Sequence, residues 1–132
     1  MEKVICIISL GSNTDAELNL TKAYNLLKRA YPDIHFSQIK KTAPRRMRHN
    51  TSFFFNQVAK FTTEQEEKEI ITALKIMERF CGRCPEDKER ETIHIDIDLL
   101  AYGNTILKPD DFVQYSKAVS YTHLTLPTTS RV

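Results

Sequence analysis

The sequence predicts an α+β fold of the ferredoxin-like βαββαβ type, a four-stranded antiparallel sheet with two helices on one face. Three observations predict it. Two stretches carry apolar residues at helical spacing, four carry strand-like runs or alternation, and the two kinds occur in the order strand, helix, strand, strand, helix, strand. The chain has 132 residues, enough for one domain with a real core.

The first strand is Lys3 to Leu10, a nearly continuous Ile- and Val-rich run that Gly11 bounds. Thr14 and Glu17 are spaced as a capping box, and Leu20, Tyr24, Leu27 and Tyr31 form the stripe of a helix that Pro32 ends. Ile34 to Thr42 alternates as a second strand, followed by the polar loop "APRRMRHNTS". Phe53 to Phe61 is the third strand. Thr63 and Glu66 suggest a second capping box, opening a helix with the stripe Ile70, Leu74, Met77 and Cys81 and Gly82 as its cap. The charged "RCPEDKERE" leads into the fourth strand, "ETIHIDIDLLAYG". Residues 1–118 are expected to form the domain, C-terminally truncated, and 119–132 a non-native or disordered tail, since "SYTHLTLPTTSRV" is threonine-rich and without periodicity.

Composition excludes several classes. Nineteen basic against seventeen acidic residues leave a formal charge of +2, so no bulk charge favours nucleic acid or an anionic membrane. The apolar runs are too short for a membrane span, and "MEKVICIISLGS" lacks a secretory pattern, which predicts a cytoplasmic protein. Three cysteines are an odd number for a disulfide framework. Cys81 and Cys84 form a C-x-x-C, but Cys81 closes a helix instead of opening one, where the dipole would favour thiolate, and no second pair completes a zinc site. The cysteines are therefore read as structural.

The chemistry gathers on the last strand. Alternation sends Thr92, His94, Asp96, Asp98 and Leu100 to one side and Ile93, Ile95, Ile97, Leu99 and Ala101 to the core. Side chains two apart on a strand stand about 6.5–7 Å apart, close enough for Asp96 and Asp98 to serve one divalent ion or a pair. Hard oxygen ligands favour magnesium, which completes its shell with water and phosphate. The plainer alternative is a strand whose polar residues face solvent. Phe54 and Asn56, if they share that face, offer an aromatic plane and an amide suited to a flat heterocycle, although "FFFN" also suits a core. With three glycines the chain holds no Walker A loop and no dinucleotide fingerprint. Arg83, Lys88 and Arg90 are candidate phosphate contacts, as are Arg45, Arg46 and Arg48 in the loop, unless these charges are simply solvated.

Together, "SLGSN", "TAP", "FFFNQV", "MERFCGR" and "HIDIDLLAYGN" resemble the 6-hydroxymethyl-7,8-dihydropterin pyrophosphokinase family over about residues 4 to 115. The most specific element is "GR" followed thirteen residues after its arginine by "DIDLL". The resemblance implies a ferredoxin-like enzyme of folate biosynthesis, a monomer that moves diphosphate from ATP to the pterin hydroxymethyl group and leaves AMP. By matching position, it implies two magnesium ions (Mg2+) held by Asp96 and Asp98, which are also the catalytic residues. It implies pterin contacts from Thr42, Pro44, Phe54 and Asn56, and ATP contacts from Glu78 and Arg83. Lys88 and Arg90 are expected to substitute for family arginines, because "PEDKERETI" stands where many relatives carry Trp-Gly-Pro-Arg and further arginines. His94 is read as a structural hydrogen-bonding residue. A non-catalytic ferredoxin-like nucleotide- or ligand-binding module is the alternative, marked by binding that ignores magnesium. An RNA-binding sheet is disfavoured because "HIDID" is acidic where that surface is basic.

Overall fold

A computed structural model describes residues 2–42, 53–82 and 94–108. The predicted order of elements is present. β1 (Val4–Ser12) leads to α1 (Ala16–Ala30), then β2 (His35–Phe36), β3 (Lys40–Thr42), β4 (Phe54–Thr63), α2 (Glu67–Phe80), β5 (Asp96–Tyr102) and β6 (Thr105–Ile106). The sheet runs β2–β4–β1–β5–β6, with β3 also on β4, and every pairing is antiparallel. Adding β2 to β3 as one interrupted strand gives the four-stranded ferredoxin-like arrangement, with β1 and β4 central and β6 a short hairpin return from β5.

Several boundaries move, each for a local reason. β1 continues past Gly11 to Ser12, because Gly11 and Ser12 still pair with Asn56 and Phe55. The expected second strand breaks in two. The three residues between Phe36 and Lys40 oppose the two between Ala59 and Asn56, and at the break the Ser37 hydroxyl accepts the Val58 N–H at 3.0 Å. The Thr14–Glu17 box does not form. Asp15 precedes α1 in the left-handed region at φ 44°, and buried Asn19 ties the turn by donating from Nδ2 to the Thr14 carbonyl at 2.7 Å. The second box forms three residues later than expected, between Glu66 and Glu69, because Thr63 stays in β4 opposite Val4.

Both helices bury one stripe against one face of the sheet. From α1 come Leu20, Ala23 and Leu27, with Tyr31 just beyond it; from α2 come Ile70, Leu74 and Met77, with Cys81 as its cap. Ala23 takes the place expected of Tyr24, which is exposed and packs on Phe36 at a ring separation of 4.8 Å. Gly82, at φ 104°, turns the chain out of α2, a conformation that costs glycine little. The sheet supplies Cys6, Ile8, Leu10, Ala59, Phe61, Ile97 and Leu99 to the same core. Register makes this selection: Phe61, Cys6 and Tyr102 lie in one row, Ala59, Ile8 and Leu99 in the next, and Gln57, Leu10 and Ile97 in the third.

The alternation predicted for β5 fails after Leu99. Ile8 pairs with Leu99 but Ile7 with Ala101, so Leu100 is an extra residue, a β-bulge. Ala101, expected among the helices, is shifted to the opposite face, where it and Leu100 form a small buried cluster with Ile7. Burial pushes the Cys6 thiol up to about 12, with the charge of Asp33 adding to the effect, and burial also raises Cys81. Both are inert core thiols at neutral pH, as the sequence suggests. Cys84 lies outside the described residues. Among the described residues, no helix is long and apolar enough to cross a membrane.

Candidate active site

The face of the sheet opposite the helices is crossed by rows of the opposite parity. Lys60, Ile7 and Ala101 form an apolar-centred row, then Val58, Ser9 and Asp98, then Asn56, Gly11 and Asp96. Lys40 extends the last row through its pairing with Asn56. Strands lie about 4.8 Å apart, so the Asn56 amide and the Asp96 carboxylate are rooted roughly 10 Å apart with Gly11 between them. Asp96 and Asp98 thus share the open face with Asn56, as alternation predicts.

The amide end is built by β3 and β4. Asn56 donates from Nδ2 to the Thr42 hydroxyl at 3.0 Å, and Thr42 pairs with Phe54. That bond turns the Asn56 carbonyl oxygen toward Gly11, where it would stand 3.4 Å from a Cβ. The Phe54 ring comes closer still: its Cε1 would lie 3.0 Å from that Cβ. Phe54 and Asn56 therefore meet over the bare backbone of Gly11, and both are only half-buried. Thr42, Phe54 and Asn56, singled out separately in the sequence, form one cluster. Pro44 lies outside the described residues.

The carboxylate end is built by β5, α2 and the turn after β6. Glu78, on the last turn of α2, is almost fully buried and accepts the Ile97 N–H at 2.7 Å. That peptide lies between the two aspartates, so Glu78 satisfies an edge donor that a further strand would otherwise take. Lys75, one turn earlier, reaches Glu78 at 3.4 Å and Asp98 at 3.9 Å, and Lys108 donates to Asp98 at 3.1 Å. Asp96 is pushed up to about 6, first by burial, then by the charges of Asp98 and Glu78, and by hydrogen bonds to those carboxylates that favour its protonated form. His94, which alternation would set beside the aspartates, precedes β5. Its imidazole lies by Gly82 at the end of α2.

These groups suit a hard divalent cation. Asp96 resists ionising beside like charges, and two ammonium groups already approach Asp98, so positive charge is what this locus attracts. Among the described residues no three Asp, Glu, His or Cys side chains are arranged to hold a metal by themselves. A two-carboxylate site of this kind fits magnesium, whose remaining ligands are water and phosphate oxygens. Arg83, Lys88 and Arg90, the expected phosphate contacts, lie outside the described residues.

Sequence reasoning gave Gly11 a strand boundary and a place in "SLGSN" but no contact in the site, and passed over Lys75 and Lys108. An isolated glycine inside a strand pattern is itself a signal of close approach. The two lysines carry no such mark, since they come from a helix and a turn that only the fold brings to β5.

A family model described as 7,8-dihydro-6-hydroxymethylpterin-pyrophosphokinase (HPPK) matches residues 7–131. No curated protein sequence matches the chain significantly. A solved structure described as "Crystal Structure Analysis of the HPPK-DHPS in complex with substrates" shares the fold with a TM-score of 0.59 at 15% identity. The match covers 96% of this chain and 33% of that one, so the present chain spans about a third of its length. Because the family model runs from within β1 through β6 and takes in both ends of the open face, the chain belongs to the 7,8-dihydro-6-hydroxymethylpterin-pyrophosphokinase family.

Proposed function

We propose that this chain transfers diphosphate from ATP to 6-hydroxymethyl-7,8-dihydropterin in folate biosynthesis, as a cytoplasmic monomer using two magnesium ions. The observation that carries the proposal is the row Asn56–Gly11–Asp96, which sets a pterin-reading amide and an aromatic ring at one end of a shared face and a carboxylate pair at the other. The spacing of roughly 10 Å suits a flat bicyclic ring whose hydroxymethyl arm extends toward a phosphate chain.

In this reading Asn56, with Thr42 and Pro44, recognises the edge of the pterin, and Phe54 stacks on its plane. Asp96 and Asp98 hold the magnesium ions. Bound magnesium supplies positive charge to the phosphate oxygens as negative charge develops there. Arg83, Lys88 and Arg90 contact the nucleotide, whereas Glu78 serves the nucleotide side indirectly, through its hold on the Ile97 N–H. The pterin hydroxyl oxygen attacks the β-phosphorus in line. The bond from that phosphorus to the oxygen bridging the α-phosphate breaks, AMP leaves with the electron pair, and the hydroxyl proton passes to solvent. The protein contributes positioning and charge, and no covalent intermediate on a side chain is needed.

AMP formation from ATP, followed by chromatography in the presence of 6-hydroxymethyl-7,8-dihydropterin and magnesium, tests the proposal. AMP that requires both pterin and magnesium is the expected result. Binding of pterin and nucleotide that is indifferent to magnesium, with no AMP, would replace the enzyme by a binding module.

A further inference from the structure

We propose that Gly11 is a positioning residue for the pterin, the seat on which the Phe54 ring rests. The proposal deepens the pterin reading of this face and rests on it. A Cβ at position 11 would meet Phe54 Cε1 at 3.0 Å, Asn56 Oδ1 at 3.4 Å and Phe54 Cδ1 at 3.6 Å. All three atoms belong to the two residues that would stack on and read the heterocycle. Carbon atoms settle at about 3.5–4.0 Å, so a methyl group there would lift the ring edge by roughly 0.5–1 Å or swing it toward the gap between Asn56 and Asp96. The backbone offers little compensation, because Gly11 pairs with Asn56 on one side and with Asp96 on the other, in the middle of a three-strand ladder.

Two consequences follow from one missing methyl group. The Cε1–Cδ1 edge of the ring comes close to the sheet at Gly11 while the residue stays half-buried, so that a flat ligand meets a ring held at a defined place. The row also keeps an empty step between amide and carboxylate, which is where the arm joining the heterocycle to the phosphates would cross. Gly11 is not one of the positive-φ glycines, so what it supplies is space and not an unusual conformation.

The test separates the seat from the ligand. In wild-type protein the Gly11 α-protons should show an NMR ring-current shift that disappears in Phe54→Ala. Gly11→Ala should weaken pterin binding in calorimetry by roughly tenfold or more, given that a misplacement near 1 Å can cost up to ~100-fold. Binding of a magnesium-loaded non-hydrolysable ATP analogue should fall much less than pterin binding, since the three atoms nearest that Cβ belong to Phe54 and Asn56 and none to Asp96, although Asp96 is the strand neighbour of Gly11. In a Phe54→Ala background the same Gly11→Ala change should add less than about twofold, because only the ordinary contact with Asn56 Oδ1 at 3.4 Å remains. Equal losses with and without Phe54, or equal losses of pterin and nucleotide, would overturn the proposal. A ring-current shift with no pterin binding by folded wild-type protein would instead overturn the pterin reading. If Gly11→Ala fails to fold, Gly11→Ala/Phe54→Leu, which shortens the obstructing side chain, should restore folding; failure of that variant too would show that the backbone, not the ring, demands glycine.

Discussion

The two faces of one sheet are built to opposite criteria. On the helix side, Leu10, Ile97, Leu74 and Ile70 are essentially sealed from solvent, and each contributes to a continuous apolar core. On the other side, Asp96 stands beside Asp98 and Glu78 in surroundings that disfavour its charge, and Phe54 is left half-exposed. Stability is gained where the helices lie, and part of it is given up where chemistry is expected. Since neighbouring residues on one strand serve opposite faces, a single β5 shows both regimes within Asp96, Ile97 and Asp98.

The contrast can be broken most forcefully from the closed side. Leu74→Ala should cost about 2–5 kcal/mol of stability, the range for large-to-small changes in sealed cores, read as a lower urea midpoint with an unchanged slope. On the open side, Asp98→Ala should leave that midpoint nearly unchanged while weakening Mn2+ binding, as a probe for magnesium, by more than the ~10–100-fold that loss of an outer-shell group costs. Calorimetry with manganese would decide it, and unchanged affinity would remove Asp98 from the metal site.

Asp96→Asn sharpens the comparison further, because it should stabilise the metal-free protein. The carboxyl titrates near 6 when folded and near 3.8 when unfolded. The folded state therefore binds more protons between these values, and stability falls as pH rises through that window. The asparagine variant should unfold at a higher urea concentration than wild type at pH 7.5, and the difference should shrink toward pH 4. The smallest effect belongs to Asp33. Some burial acts to raise its pKa, but hydrogen bonds from the Thr62 hydroxyl and backbone N–H outweigh it and leave the carboxyl below its usual range. Its contribution is present above about pH 4 and is lost as pH falls through the folded value. A shallower loss of stability in Asp33→Asn between pH 5 and pH 2.5 would verify it.

Much of this was legible in the sequence where the signal is local. The stripe Ile70, Leu74, Met77 and Cys81 predicts both the helix and its buried face, and the alternation around Asp96 and Asp98 predicts which face carries charge. Residue chemistry then singles out Phe54 and Asn56. What escaped depends on partners distant in the chain. Ser37 interrupts a strand because its hydroxyl finds Val58, and Thr63 does not cap α2 because Val4 holds it in β4. Ala101 changes sides because β1 has one residue fewer to offer between Ile7 and Ile8. Gly11, Lys75 and Lys108 enter the site only through register or through the approach of α2 and the β6 turn.

The bulge at Leu100 bears on how this strand tolerates changes of length. Upstream of it, Asp96, Ile97 and Asp98 are locked one-to-one against Gly11, Leu10 and Ser9. Removing one residue there would exchange the faces, sending an aspartate among the helices and an isoleucine into the open side. Leu100 is different, because it is already surplus to the ladder. Deleting it could close the bulge into regular pairing with β1, with both carboxylates left where they are, at the loss of the small Ile7, Leu100 and Ala101 cluster and of the Leu100 carbonyl that accepts the Leu107 N–H at 2.8 Å. The strand thus has one point where the chain can lose a residue without scrambling its chemistry, two positions beyond the second aspartate. A set of single deletions from Asp96 to Ala101, scored by folding and by manganese binding, should find that point at Leu100.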